Sequence, residues 1–226
     1  MSILPLVQCA GAGVVYPSGS HTIVALRPTD CAVRERDQIA VVGPSGSGKS
    51  TLMHLLSGLQ EPSTGAVTWP GIGDRQALRP GPVGMVFQGP SLLPPLTVAE
   101  NVALPLQLMG ESQATATAKA LELLALVGVA DLAARLPDEL SGGQSQRVAI
   151  ARALVTGPRL ILADEPTGQL DRATGELVID VLLDCADATG AALVVTTHDP
   201  SISERFAYRW SVVDGVLGVP LEVPAT

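Results

Sequence analysis

The stretch that most constrains this chain runs from Gln38 to Thr51 and reads QIAVVGPSGSGKST. It predicts a short buried strand, Ile39 to Val42, then a glycine-rich loop, then a helix opening at Lys49. The spacing of Gly43, Gly48, Lys49 and Ser50 fits G-x-x-x-x-G-K-[ST], with the required strand before and helix after. Glycines let successive backbone N–H groups curl round phosphates without side-chain clashes, and the helix N-terminus adds a positive dipole end. The loop Gly43, Pro44, Ser45, Gly46, Ser47 and Gly48, continued by Lys49, Ser50 and Thr51, is therefore the expected phosphate cradle. Lys49 would reach the β- and γ-phosphates and the Ser50 hydroxyl would bind Mg²⁺.

The remainder must supply a fold around this loop. At 226 residues the chain suits one α/β domain with a sizeable core. Hydrophobic residues make up 46% but aromatics only 3%, so Leu, Val, Ile and Ala have to build that core. The net charge of −8 argues against non-specific nucleic-acid binding, which needs a basic surface. No apolar run approaches the ~20 residues that span a bilayer. The first residues lack the basic and long apolar segments of a signal peptide. Cys9, Cys31 and Cys185 show no metal-ligand spacing and read as reduced thiols of a cytoplasmic protein.

In chain order, residues 1–36 read as short antiparallel strands broken by turns, with Pro17-Ser18-Gly19-Ser20 as one turn. Thr51 to Ser57 continues the helix after the loop, closed by Gly58. Residues 61–83 predict loops and short strands, and Gly84–Phe87 a strand ending at Gln88. The segment 89–96 holds three prolines and cannot be regular helix or central strand. Thr97-Val98-Ala99-Glu100 is a capping-box pattern opening a short helix. A second helical stretch covers residues 111–136, with Leu121, Leu124 and Ala125 at helical spacing and Pro137 as its stop. Ser141-Gly142-Gly143-Gln144 opens a long helix to Thr156. Leu160–Ala163 and Leu193–Thr197 read as strands buried on both faces. A helix from about Ala173 to Ala188 would turn Leu177, Val178, Val181, Leu182 and Cys185 inward. The tail predicts a hairpin about Asp214-Gly215. Strand–helix alternation from residue 38 to 198 implies a parallel sheet whose ligands gather at the strands' carboxyl ends. Gly43, Gln88, Asp164 and His198 all fall at such ends.

Asp164 closes an apolar strand where a second Mg²⁺ contact is needed beside Ser50. Glu165 follows and could polarise an attacking water. Ser141 can cap its helix while Gly142 and Gly143 leave backbone N–H groups uncovered, a second anion site in the same chain. If both sites bind one nucleotide, they need not lie in one subunit.

LSGGQ at 140–144, between GPSGSGKST at 43–51 and LILADEP at 160–166, resembles the ATP-binding subunits of ABC transporters. The resemblance implies a P-loop ATPase fold over residues 1–226: a parallel-sheet core, an N-terminal antiparallel subdomain and an inserted helical subdomain at about 90–140. It implies ATP and Mg²⁺ as cofactors, and two such subunits paired head to tail around two ATPs. Tyr16 then matches the aromatic that stacks on adenine, and Gln88 the glutamine that contacts Mg²⁺ and the attacking water. Lys49 would hold the terminal phosphates, and Ser141, Gly142, Gly143 and Gln144 would meet the γ-phosphate of the partner's nucleotide. Glu165 would be the catalytic base, Gln169-Leu170-Asp171 the loop crossing the dimer interface, and His198 the switch on the γ-phosphate. The segments 96–106 and 166–171 are similar to the lipoprotein-releasing, macrolide-exporter and cell-division subgroup. The short, proline-rich stretch before Gln88 departs from the family pattern and suggests a trimmed antiparallel subdomain. A separate membrane permease is the implied partner, placing the chain on the inner face of the cell membrane with no nucleic-acid partner. The apolar segment Leu92–Leu96 would then line the groove that receives it. The alternative is a soluble ATPase of the same family that is not coupled to transport.

Overall fold

The structure is a computed structural model; it describes residues 4–19, 21–89, 91–168, 170–218 and 221–222. Two long strands open the chain, β1 (Val7–Ser18) and β2 (His21–Val33), followed by β3 (Gln38–Val42) and helix α1 (Lys49–Leu56). β4 (Thr64–Thr68) and β5 (Val83–Val86) lead to α2 (Val98–Leu108) and α3 (Gln113–Leu126). Next come α4 (Gly142–Leu154), β6 (Leu160–Asp164), α5 (Arg172–Thr189), β7 (Ala192–Thr197) and the single turn α6 (Pro200–Ser203). β8 (Tyr208–Val213), β9 (Val216–Leu217) and β10 (Leu221–Glu222) complete the described order.

β1, β2 and β4 form an antiparallel sheet in the order β2-β1-β4. The main sheet runs β10-β8-β3-β7-β6-β5, with β9 paired to β8. Its pairs β3–β7, β3–β8, β6–β7 and β5–β6 are all parallel. Alternation along these strands explains why their sequences are apolar throughout. Ile161, Ala163, Leu193 and Val195 enter a core against α2–α5. Leu160, Leu162, Ala192 and Val194, with Ile39 and Val41, enter a second core against α1 and the antiparallel sheet. Successive side chains point to opposite faces, so a sheet covered on both sides needs apolar residues at every step.

Several expectations are corrected. Val7–Ser18 and His21–Val33 are two long strands rather than several short ones, and Pro17 and Ser18 lie inside β1. β4 pairs only with Gln8 to Gly13 of β1, so the Pro17 edge is open and its missing N–H breaks no ladder on that side. Local register shifts between Cys9 and Val15 absorb the twist. Helix α3 ends at Leu126, not at Pro137, because Gly128 turns left-handed with φ 69 and stops it. Pro137 instead starts a short 3₁₀ turn, Pro137–Glu139. Ala116, Ala120 and Leu124 form the buried face of α3, while Leu121 is exposed. Helix α4 ends at Leu154 rather than Thr156. On α5 the buried stripe is Val178, Ile179, Leu182, Cys185 and Ala186, leaving Leu177 in solvent. The capping box at Thr97 and Glu100 forms as predicted, opening an eleven-residue helix that contains Pro105. The Asp214-Gly215 hairpin also forms, with φ 49 and 74 at the two turn residues. Of the three-proline segment, Pro90 lies outside the described residues; residues 91–97 carry neither helix nor strand.

Candidate functional site

The carboxyl ends of β3, β5, β6 and β7 deliver Gly43, Gln88, Asp164, Glu165 and His198 to one edge of the sheet. The loop after β3 is locked from outside. A Cβ on Gly43, where φ is 154, would lie 2.0 Å from the Val212 carbonyl oxygen. One on Gly48 would lie 2.4 Å from the Ala25 carbonyl oxygen. Only glycine fits at either position. The Ser47 carbonyl accepts the Gly215 N–H at 2.9 Å, and the Gly215 carbonyl accepts the Arg27 N–H at 2.7 Å. The tail hairpin thereby ties the loop to β2. Gly46, by contrast, has open space around it.

Lys49 is buried, and its ammonium donates to the carbonyls of Gly43 at 3.0 Å and Pro44 at 3.1 Å. It also stands 3.3 Å from Glu165 Oε1. Glu165 is the hub of the edge. Its Oε2 lies 3.5 Å from Gln88 Nε2, which donates, and 3.8 Å from His198 Nδ1. The Glu165 backbone is left-handed at φ 44, a conformation that a non-glycine residue seldom adopts and that the following proline does not ease. Such outliers persist where the surroundings over-determine them. Here the anchor is Thr196: its hydroxyl accepts the Glu165 N–H at 2.8 Å and donates to Asp164 Oδ1 at 2.6 Å.

A cavity of about 380 Å³ opens over this cradle, lined by Ser45, Gly46, Gly48, Lys49, Ser50, Thr51, Gln88 and Glu165, with Ile23, Val24 and Ala25 of β2 as an apolar wall. The residues fit a magnesium nucleotide. Ser50 and Gln88 line the cavity and Asp164 directly precedes Glu165, which also lines it, an oxygen-rich set that suits a hard cation together with phosphate oxygens. Tyr16 stands outside this lining. It pairs with Ile23 across the hairpin and donates its hydroxyl to Gln60 Oε1 at 2.6 Å, leaving its half-exposed ring beside the apolar wall.

Ser141, Gly142, Gly143 and Gln144 do not line that cavity. They form a closed capping box: Gln144 N–H donates to Ser141 Oγ at 3.3 Å and Ser141 N–H to Gln144 Oε1 at 2.8 Å. Gly142 faces open space, whereas a Cβ on Gly143 would meet Thr174 at 2.8 Å. Asp171 caps α5 through Thr174, and that hydrogen bonding holds its carboxyl below the usual range. It shares a second, smaller cavity with His198, Thr167 and Leu170. Gln169 lies outside the described residues.

Sequence reasoning missed three supporting residues. Thr196 stands opposite Asp164 in the β6–β7 register; the Thr-Thr pair ending an apolar strand was its only signal. Gln146 is buried on α4 and donates to the Phe87 carbonyl at 3.1 Å, fixing the turn that carries Gln88. Asn101, fully buried, donates to the carbonyls of Leu93, Leu96 and Thr97 and accepts the Leu93 N–H, holding the three-proline segment in shape.

Residues 26–168 match the family model described as ABC transporter. The chain belongs to the ABC transporter family. Within that family it is an ATP-binding, ATP-hydrolysing subunit. It is 46% identical over 197 residues to the lipoprotein-releasing system ATP-binding protein LolD of Legionella pneumophila (strain Paris), covering 84% of this chain and 87% of that protein. LolD of Shewanella oneidensis is 42% identical over 222 residues, covering 95% and 96%. Among solved structures, the dimeric ATP-binding cassette MJ0796, in a post-hydrolysis state bound to ADP and Pi, superposes with a TM-score of 0.89. It is 34% identical, covering 97% of this chain and all of that one. The ABC ATPase fold expected from the sequence is the fold observed.

Proposed function

We propose that the chain is a single ATP-binding unit that binds MgATP on the 43–51 loop and hydrolyses it within a head-to-tail dimer, driving a separate membrane permease. One observation carries the paired arrangement: at the second anion-binding helix start Ser141 and Gly142 are exposed, and neither they nor Gly143 line the cavity over the chain's own phosphate loop. A helix start with uncovered N–H groups meets phosphate only if it comes from another copy. The relatives named LolD and the dimeric ADP-bound cassette support this reading.

In the proposed site the loop amides and Lys49 grip the phosphate chain and Tyr16 takes the base. Ser50, Gln88 and Asp164 would hold Mg²⁺, which when bound offsets phosphate charge. Glu165, already poised beside Gln88 and His198, accepts the proton of the attacking water. His198 faces the γ-phosphate, and Asp171 lies at the subunit boundary. The helical subdomain, at about 90–140, faces the permease. Leu93 is exposed on the three-proline segment, and a groove of about 390 Å³ is lined by Phe87, Leu104, Pro105 and Leu108. Arg152, which also lines the groove, holds Ser91 at the segment's start. Docking there would put the permease against Phe87, the residue before Gln88. No described helix is long and apolar enough to cross a membrane, which fits a chain held at the inner face through its permease. The relatives named lipoprotein-releasing system ATP-binding proteins support a transport role for the dimer.

Glu165→Gln tests the core of this reading. Hydrolysis should fall by about 10²–10⁴-fold, the usual worth of a general base, while ATP binding persists and an ATP-dependent dimer accumulates on size-exclusion chromatography. Turnover at the parent rate would remove Glu165 from its assigned role.

A further inference from the structure

At the amino end of β3, away from the phosphate loop, lies a cavity of about 540 Å³ whose lining includes Cys9, Cys31, Asp37, Ile39, Tyr208 and Trp210. Cys9 and Cys31 stand directly opposite each other in the β1–β2 register. Both are free thiols, Cys9 buried and Cys31 half-buried. Directly opposed residues on antiparallel strands have Cα atoms about 4.5 or 5.5 Å apart, inside the roughly 4.4–6.8 Å that a disulfide spans. Their Cβ separation, about 4.5–5.5 Å, lies at or just beyond the disulfide's upper end of roughly 4.5 Å. A bond there would form with slight strain and stay easily reducible.

The two sulfurs already interact. The Cys31 thiol keeps its proton far above the usual thiol range because it hydrogen-bonds Cys9, because it is buried, and because charge on Cys9 and Asp30 opposes a second negative charge. What favours exchange here is the geometry: two thiols face each other across the strands and line one cavity, so a mixed disulfide formed on one lies within reach of the other. Nothing in the proposed ATPase chemistry uses either residue.

We propose that Cys9 and Cys31 form a dithiol modification site, which a small disulfide entering this cavity converts reversibly into a cross-strand bond. One sulfur of the pair attacks the small disulfide, forming a mixed disulfide and expelling one small thiolate. The second sulfur, after losing its proton, attacks the protein-bound sulfur and expels the other. Two electrons and two protons pass from the pair to the small disulfide, which leaves as two thiols. The bond closes the base of the β1–β2 hairpin. It lies at the opposite strand ends from Glu165, so it stiffens the antiparallel sheet without entering the hydrolytic site.

The full chain, incubated natively with excess oxidised glutathione, should lose the mass of two hydrogen atoms and retain one titratable thiol, that of Cys185. Cleavage before Asp30 puts Cys9 and Cys31 on separate peptides, which should migrate together until reduced. Dithiothreitol should restore all three thiols, and the oxidised form should melt at higher temperature with its ATPase rate unchanged. Cys185→Ser should behave as the parent, whereas Cys9→Ser and Cys31→Ser should each stop at a glutathione adduct or an unreacted thiol. The proposal is overturned by three titratable thiols after exposure, by a stable glutathione adduct on Cys31 in the parent, or by a cross-link through Cys185.

Discussion

Thr196 is fully buried at the end of β7, and its hydroxyl serves two acids at once. It bonds the Glu165 N–H and the Asp164 carboxylate, so it orients the proposed base and a proposed metal ligand together. Replacing it with valine keeps shape and removes both bonds. The orphaned groups should cost about 1–3 kcal/mol of stability. More tellingly, kcat should fall about tenfold or more, the equivalent of ~1.4 kcal/mol of barrier, with a much smaller change in the KM for ATP. Thr196→Ser should restore the rate. Steady-state kinetics of the two variants separates this from a loss of packing, which Thr196→Ser would not repair. The glycines of the loop act on the same scale but by exclusion, since a methyl at Gly43 or Gly48 would run into a carbonyl oxygen of β8 or β2.

At the scale of elements, α2 to α6 begin on side chains that close their own first turns, whereas α1 begins on Gly48 with none. Thr97 with Glu100, Ser141 with Gln144, Asp171 with Thr174 and Asp199 with Ser201 all accept or return hydrogen bonds at helix starts. Hydrogen bonds from Thr97 hold Glu100 below the usual carboxylate range, and bonds from Ser201 do the same for Asp199. A depressed carboxyl contributes stability that is complete above its unfolded pKa and is lost as pH falls through its folded one. Asp37 carries the opposite sign, because burial raises its carboxyl and ionisation there costs stability. Melting temperature should therefore decline on acidification below the ordinary carboxylate range. A Glu100→Gln, Asp199→Asn double variant should show a shallower decline, measured by circular dichroism across a pH series. An unaltered slope would place the acid sensitivity in other groups.

For the whole molecule, the proposed site is half of a machine whose other half would be a second copy. The three-proline segment adds a third surface. Asn101 holds it open from below, so Leu93 stays exposed where a buried leucine would be expected. Leu93→Glu with Leu96→Glu should abolish recovery of the chain with membranes containing its permease and leave ATP binding intact. Membrane recruitment at the parent level would exclude this segment as the docking surface.

The phosphate loop, the Asp164-Glu165 pair, the helix starts at Thr97 and Ser141 and the Asp214-Gly215 turn were legible from residue order alone. Each is specified within a few residues, by glycine geometry, capping chemistry or a continuous apolar run. The end of α3 was misread because Gly128 stops the helix well before Pro137, and the inward faces of α3 and α5 because neighbouring apolar residues offer more than one helical stripe. Only packing against α2, α4 and the sheet selects which stripe is buried. Thr196, Gln146 and the facing of Cys9 by Cys31 were invisible for a related reason. Their partners lie 31, 59 and 22 residues away along the chain, and only strand register and helix docking bring them within reach. Sequence determined which chemistry is carried; tertiary structure decided which side chains aim it, because aim depends on contacts that no local pattern encodes.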